Sequence, residues 1–146
     1  MDALALLERD HHHVKKLLEE LDATTERAEK TRAEKIAKLN SDLAIHEAIE
    51  EEIFYPALRE HAEAKDIVLE AYEEHDVVNT IMAEILRTPV DDETWGAKLT
   101  VMKENLEHHI EEEEGEMFAK ARDIFDRDAL ESLGERMQAR KSSAAA

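Results

Sequence analysis

Apolar residues recur at alternating steps of three and four along four long stretches of the chain, the period of a helix that buries one face in a bundle. In the first stretch, about Asp2 to Ala28, they are Leu4, Leu7, Val14, Leu18 and Leu21, and His11 stands in the same seam. Thr24 to Lys30 form a polar connection, after which Thr31-Arg32-Ala33-Glu34 has the form of a capping box and predicts the start of a second helix. Its seam reads Ile36, Leu39, Leu43, His46, Glu50, Ile53 and Ala57. After a turn at His61 to Glu63, a third helix over about Ala64 to Leu86 places Val68, Tyr72, His75, Asn79, Met82 and Leu86 inward. Arg87 to Glu93, with Thr88-Pro89, ends it. A fourth helix, about Thr94 to Arg122, carries Leu99, Met102, Leu106, His109 and Glu113 inward; Gly115 within it costs about 1 kcal/mol against Ala and predicts a close neighbour. Asp126-Arg127-Asp128 caps a short fifth helix, over about 127–141, whose Leu130, Leu133 and Met137 cover the bundle, and Ser142 to Ala146 reads as a frayed tail.

Composition supports an all-α domain. Three Gly and two Pro in 146 residues, with 38% charged residues and no strand signal, leave little but helix. The length fits one domain, residues 1–146 with a core of about 2–122, and buries a proper core. A net charge of -18 repels nucleic acid and anionic membrane surfaces and attracts cations. Without Cys there is no disulfide, thiolate site or Cys nucleophile, so nitrogen and oxygen must hold any metal. No basic segment followed by a long apolar run opens the chain and no run approaches 18 apolar residues, so the expected location is cytoplasmic.

The polar residues inside the seams carry the chemistry. His46 and Glu50, and again His109 and Glu113, stand four residues apart and so one above the other on a helix. One such pair on an acidic helix is ordinarily a solvated contact, and a lone seam His is ordinarily a buried, hydrogen-bonded one. Repetition changes that reading: 64 residues separate His11 from His75, and 63 separate both His46 from His109 and Glu50 from Glu113. Asp10-His11 and Glu74-His75 are each followed by Val at the third position after the His. The chain is two related halves that, folded together, converge four imidazoles and two carboxylates. A buried ionised carboxylate is costly unless paired or on a metal, which makes Glu50 a ligand candidate on physical grounds alone. Such a donor set suits iron, and also manganese or zinc, and six ligands serve two ions: His11, His46, His75 and His109 terminal, Glu50 and Glu113 bridging.

Asp-His-x-x-Val-x-x-Leu-Leu at Asp10 to Leu18, His-x-x-x-Glu-Glu-x-x-Phe-Tyr-Pro at His46 to Pro56, Glu-His-x-x-Val at Glu74 to Val78 and His-x-x-x-Glu-Glu at His109 to Glu114 together resemble the hemerythrin-like family, the HHE cation-binding domains, over roughly residues 3 to 120. The resemblance implies an up-and-down antiparallel four-helix bundle around a non-haem di-iron centre, oxo- or hydroxo-bridged, that meets dioxygen, peroxide or nitric oxide. Two departures follow. Oxygen carriers of the family have a further His one turn before the position of His75, where this chain has Ala71; Glu47, Tyr55, Tyr72 or solvent could fill that gap. In those carriers the last carboxylate lies five residues after its His, which would make it Glu114, whereas helical geometry and the match to Glu50 put Glu113 first. Tyr55 reads as a packing aromatic ahead of a hydroxyl near the metals, and Asp10 and Glu74 are candidates to orient the ligating imidazoles. The ferritin-like alternative needs Glu-x-x-His on two helices, and only Glu8 to His11 has that form.

The expected function is reaction with small oxidants in a catalase-like, peroxidase-like or redox-stress role. Reversible dioxygen binding or sensing, or iron storage without turnover, is the alternative, and a bundle whose histidines are merely buried is the third reading. A closed bundle of this kind can work as a monomer.

Overall fold

Asp2 opens the first helix, its carboxylate accepting from the Ala5 backbone N–H at 2.8 Å. In the computed structural model, which describes residues 1–145, this helix is α1, Ala3–Asp22. The second helix of the bundle is made of α2, Glu29–Ile49, a single π-helical turn, Glu50–Phe54, and α3, Tyr55–Arg59. The third is α4, Ala62–Arg87. The fourth repeats the composite design with α5, Trp95–Glu112, a second π-turn, Glu113–Met117, and α6, Phe118–Ile124. A fifth helix, α7, Arg127–Ala145, packs across α1, α2 and the first π-turn. No strand occurs among the described residues.

Several boundaries differ from the sequence reading for physical reasons. The Thr31 capping box does not form: α2 begins at Glu29, and Ala28 at its cap offers no side-chain acceptor. Arg32 is instead buried in the loop layer, donating to the Thr24 hydroxyl at 3.0 Å and the Val90 carbonyl at 2.6 Å and lying 4.4 Å from the Trp95 ring centre. That one side chain ties together the loop after α1 and the loop after α4. On α4 Val68, His75 and Met82 are buried as expected, but between them Ala71, Val78 and Ile85 are buried in place of Tyr72, Asn79 and Leu86, and Leu86 is exposed. Beyond Glu50 the stripe slips the other way. The π-turn inserts one residue, so Phe54, Tyr55 and Leu58 are buried and Ile53 and Ala57 only partly so. Gly115 has no close neighbour; it lies inside the second π-turn, where weak helix preference favours the irregular turn.

The close approach that requires a glycine is elsewhere. A Cβ built at Gly134 would lie 2.2 Å from the Met1 carbonyl oxygen, so only Gly lets α7 settle on the start of α1. Leu130, Leu133 and Met137 are buried there as expected, while α7 runs on through Ser142 to Ala145 instead of fraying. Ala146 lies outside the described residues.

The core falls into two apolar clusters. One, at the α7 end, is built around Leu6, Leu7, Phe54, Tyr55, Phe118 and Met137; the other, at the loop-layer end, around Leu18, Leu39, Met82, Trp95 and Met102. Between them lies a layer of buried polar side chains: His11, His46, Glu50, His75, His109 and Glu113.

Candidate metal centre

Each π-turn begins at a buried carboxylate, Glu50 in one and Glu113 in the other, directly after the helix that carries His46 or His109. The wider turn lets the Tyr55 N–H bond back to the Glu50 carbonyl, and the Phe118 N–H to that of Glu113. Pro56, which has no N–H to give, follows at the start of α3, where its missing donor is least costly. In this way a sequence at plain i, i+4 spacing aims His and Glu at one point while the helix continues past it.

The six residues named from the sequence all meet. Side-chain atoms of His11, His46, Glu50 and Glu113 form one group within metal-chelating reach, and those of Glu50, His75 and His109 form the next, with Glu50 in both. Glu50 Oε1 is 3.3 Å from His46 Nε2 and 3.1 Å from His75 Nε2. Glu113 also spans the two halves, Oε1 lying 3.3 Å from His11 Nε2 and Oε2 3.3 Å from His109 Nε2. The rings pair accordingly, with centroids 5.0 Å apart for His11 and His46 and 4.9 Å apart for His75 and His109.

The outer nitrogen of every ring meets a carboxylate. His11 Nδ1 is 2.6 Å from Glu114, His46 Nδ1 3.0 Å from Asp10, His75 Nδ1 2.7 Å from Glu51, and His109 Nδ1 2.8 Å from Glu74. Carboxylates accept, so each Nδ1–H donates outward and Nε2 is the nitrogen that faces the centre, the orientation a metal ligand needs once Nε2 gives up its proton. Asp10 and Glu74 thus take the orienting positions proposed for them, and Glu114 orients His11, leaving Glu113 in the centre. Glu51 was missed from the sequence, although its mate 63 residues on is Glu114.

Tyr55 corrects the preference for a mere packing aromatic. Its ring is fully buried, and its hydroxyl donates to Glu113 Oε2 at 2.5 Å while lying 3.3 Å from His75 Nε2 and 3.5 Å from His109 Nε2. It lies beside the His75–His109 pair. The other two candidates for the gap at Ala71 sit elsewhere. Tyr72 points its hydroxyl to the Glu51 backbone carbonyl at 3.3 Å, and Glu47 accepts from Asn79 at 2.9 Å on the outer side of His75.

The electrostatics follow from burial and these contacts. Burial alone would pull His46, His75 and His109 down, but carboxylates outweigh it. His46 is held up at about 10 by Glu50 and Asp10, His75 at about 9 by Glu50, and His109 at about 11 by Glu113 and Glu74. Asp10 is pushed up by burial yet brought down to about 2 by His46 and Lys141. Burial, then the Glu113 and Glu50 charges, hold the Tyr55 phenol well above its usual range. Burial also raises Glu47.

Whether this cluster fits a metal can be judged from its unmatched atoms. His11 Nε2, both oxygens of Glu50 and Glu113 Oε1 are buried without a hydrogen-bond partner. Orphans of this kind are rare in folded proteins and costly. Here they converge on one point, and cations placed there would satisfy them. A cavity of about 10 Å³, room for about one water-sized body, adjoins the four imidazoles and is walled by the matched pairs Val14 and Val78, Leu43 and Leu106.

Comparison with known proteins agrees with the geometry. Residues 2–121 match the Hemerythrin HHE cation binding domain. Proteins Mb2666c of Mycobacterium bovis and Rv2633c of Mycobacterium tuberculosis are each 34% identical over 100 residues, 68% of this chain; the chain spans 60% of the length of these curated relatives. A crystal structure of a Hemerythrin HHE cation binding domain-containing protein from Mycobacterium kansasii, a homolog of Rv2633c, superposes with a TM-score of 0.88 at 29% identity, covering 99% of this chain and 87% of that one.

Proposed function

This chain belongs to the hemerythrin HHE cation-binding domain family, and from that premise we propose that it is a non-haem di-iron protein that binds and reacts with small oxidants, peroxide first, with nitric oxide and dioxygen as the other substrates of that class. The observation that supports this reading most is the sharing of Glu50 and Glu113 between two imidazole pairs, because only two adjacent cations would use both carboxylates fully. His11 and His46 would hold one ion and His75 and His109 the other, with the Tyr55 hydroxyl beside the second pair. An all-nitrogen-and-oxygen donor set accepts iron, manganese or zinc, and the family resemblance favours iron ahead of the other two; iron would supply electron exchange with a small oxidant.

The chain's own groups prepare the site for such a reaction. Outward Nδ1–H bonds to Glu114, Asp10, Glu51 and Glu74 fix the four rings. Tyr55 keeps its proton on the bond to Glu113 Oε2, a position from which it can be given up as positive charge enters the layer. Apolar walls and a cavity of about 10 Å³ favour a ligand of one or two heavy atoms. No helix among the described residues is long and apolar enough to cross a membrane.

The test is to give hydrogen peroxide to the iron-loaded protein and follow oxygen release. Sustained evolution with the protein intact is the expected result. A reversible oxygenated spectrum without turnover would favour dioxygen carriage instead, and absence of both would contradict the oxidant reading.

A further inference from the structure

The four imidazole–carboxylate pairs that surround the centre share one geometry, an outward Nδ1 on a carboxylate, and one of them carries a further cation. Asp10, which holds His46 through Oδ2, also receives the Lys141 ammonium on Oδ1. Among the described residues, Glu114, Glu51 and Glu74 receive no lysine or arginine. Lys141 lies in the last turns of α7, beyond the matched domain at residues 2–121, and has no counterpart in the internal repeat. It therefore acts on one half only of a nearly two-fold arrangement.

The surrounding contacts show what the addition can do. Leu130, Leu133 and Met137 fix the start of α7 in the core, and Gly134 lets it touch the backbone of residues 1–3. From there three polar contacts reach the elements that carry the first half-site. Arg9 of α1 donates to Gln138 at 3.3 Å, Arg140 donates to Glu52 in the π-turn that begins with Glu50 at 3.0 Å, and Lys141 meets Asp10. An open groove of about 360 Å³ runs past Asp10, His46 and Lys141. Without the ammonium, the Asp10 carboxylate would face that groove with one oxygen free to turn toward water. With it, both oxygens are engaged and the plane of the carboxylate is set, so the His46 ring is set too.

We propose that Lys141 is a positioning residue for the His11–His46 half-site, fixing Asp10 and through it His46, so that an ion in that half and the docked C-terminal turns of α7 stabilise each other. The coupling is reciprocal by thermodynamic necessity: whatever α7 docking adds to ion retention, the ion adds to α7 docking. The second half-site touches neither Lys141 nor Asp10 and would feel this coupling only through the shared Glu50 and Glu113. The proposal rests on the two-ion reading, and the experiment separates the two.

Iron-loaded protein is challenged anaerobically with a ferrous chelator, and release is followed by the colour of the chelate, for native protein, Lys141→Gln and Lys141→Arg. Amide hydrogen exchange over residues 138–144 is measured for each with and without iron. In Lys141→Gln one ion is expected to leave up to about tenfold faster, because the outer partner of His46 is loosened though not lost, while the other changes much less. Iron should slow amide exchange at the end of α7 in the native protein and in Lys141→Arg, and not in Lys141→Gln. Lys141 is partly exposed, so the variant is expected to fold. Equal acceleration of both ions, native release rates in Lys141→Gln, or exchange in native α7 that is indifferent to iron would each overturn the proposal while leaving the two-ion reading standing. Failure of the native protein to take up two irons would overturn both.

Discussion

The two halves of the centre have the same ancestry in sequence and differ in what completes them. The His11–His46 half has two imidazoles, two shared carboxylates and a lysine behind Asp10; the His75–His109 half has two imidazoles, the same carboxylates and a phenol. Nearly every other feature is duplicated: a π-turn starting at a Glu, an acid before each first His, an acid after each shared Glu. The duplicated parts are those that holding two cations demands. The unmatched parts, Tyr55 and Lys141, are where two bound ions would be made chemically different.

The strongest way to break this picture is to remove what the halves share. Glu50→Ala is expected to abolish binding of both ions and, by leaving buried imidazolium groups without their counter-charge, to destabilise the metal-free protein by about 3–5 kcal/mol, measured by metal analysis and denaturant unfolding. His46→Ala should lose one ion and keep the other, which distinguishes a shared carboxylate from a private ligand.

A second prediction compares the loaded and metal-free forms over pH. His46, His75 and His109 have folded values of about 10, 9 and 11 against an ordinary 6.5. Their raised values stabilise the metal-free fold fully below about pH 6.5, and that contribution is lost as pH rises through about 9 to 11. Thermal melts of metal-free protein should therefore weaken across that window, whereas the iron-loaded protein, whose imidazoles have already given up their protons, should not. A flat metal-free profile would contradict the charge state assigned to the layer.

Tyr55→Phe isolates the difference between the halves. Both ions should remain, turnover of peroxide should fall about a hundredfold if the phenol acts in proton transfer, and any tyrosinate-to-iron absorption should vanish. Loss of the donor to buried Glu113 should cost about 1–3 kcal/mol in the metal-free protein. The smallest effects are expected from Glu51→Gln and Glu114→Gln, which weaken the outward bonds of His75 and His11. Each should lower the affinity of its own half for iron by about tenfold with little change in the other, read by competition with a chelator.

Much of this was legible in the sequence because the bundle needs a period and the centre needs a repeat. The seams of α1 and α5, the six central residues and the cover formed by Leu130, Leu133 and Met137 stand where the pattern put them. The failures share a cause: each depends on backbone that departs from the ideal helix or on contacts distant in sequence. A seam extended at constant period beyond Glu50 buries Ile53 and Ala57, but the π-turn adds a residue and buries Phe54 and Leu58 instead. The same inserted residue lies just before Tyr55, whose hydroxyl reaches Glu113, 58 positions away. Arg32 and Lys141 find Val90 and Asp10, 58 and 131 positions off, and no local spacing announces such partners. Glu51 alone had a readable signal, its equivalence to Glu114 in the repeat.

The inequivalence of two ions held by shared carboxylates is tested most directly by the Mössbauer spectrum of protein loaded with iron-57. The account predicts two irons per chain and two quadrupole doublets of equal area with different splittings, one of which changes in Tyr55→Phe. One doublet, or a single iron per chain, would contradict it.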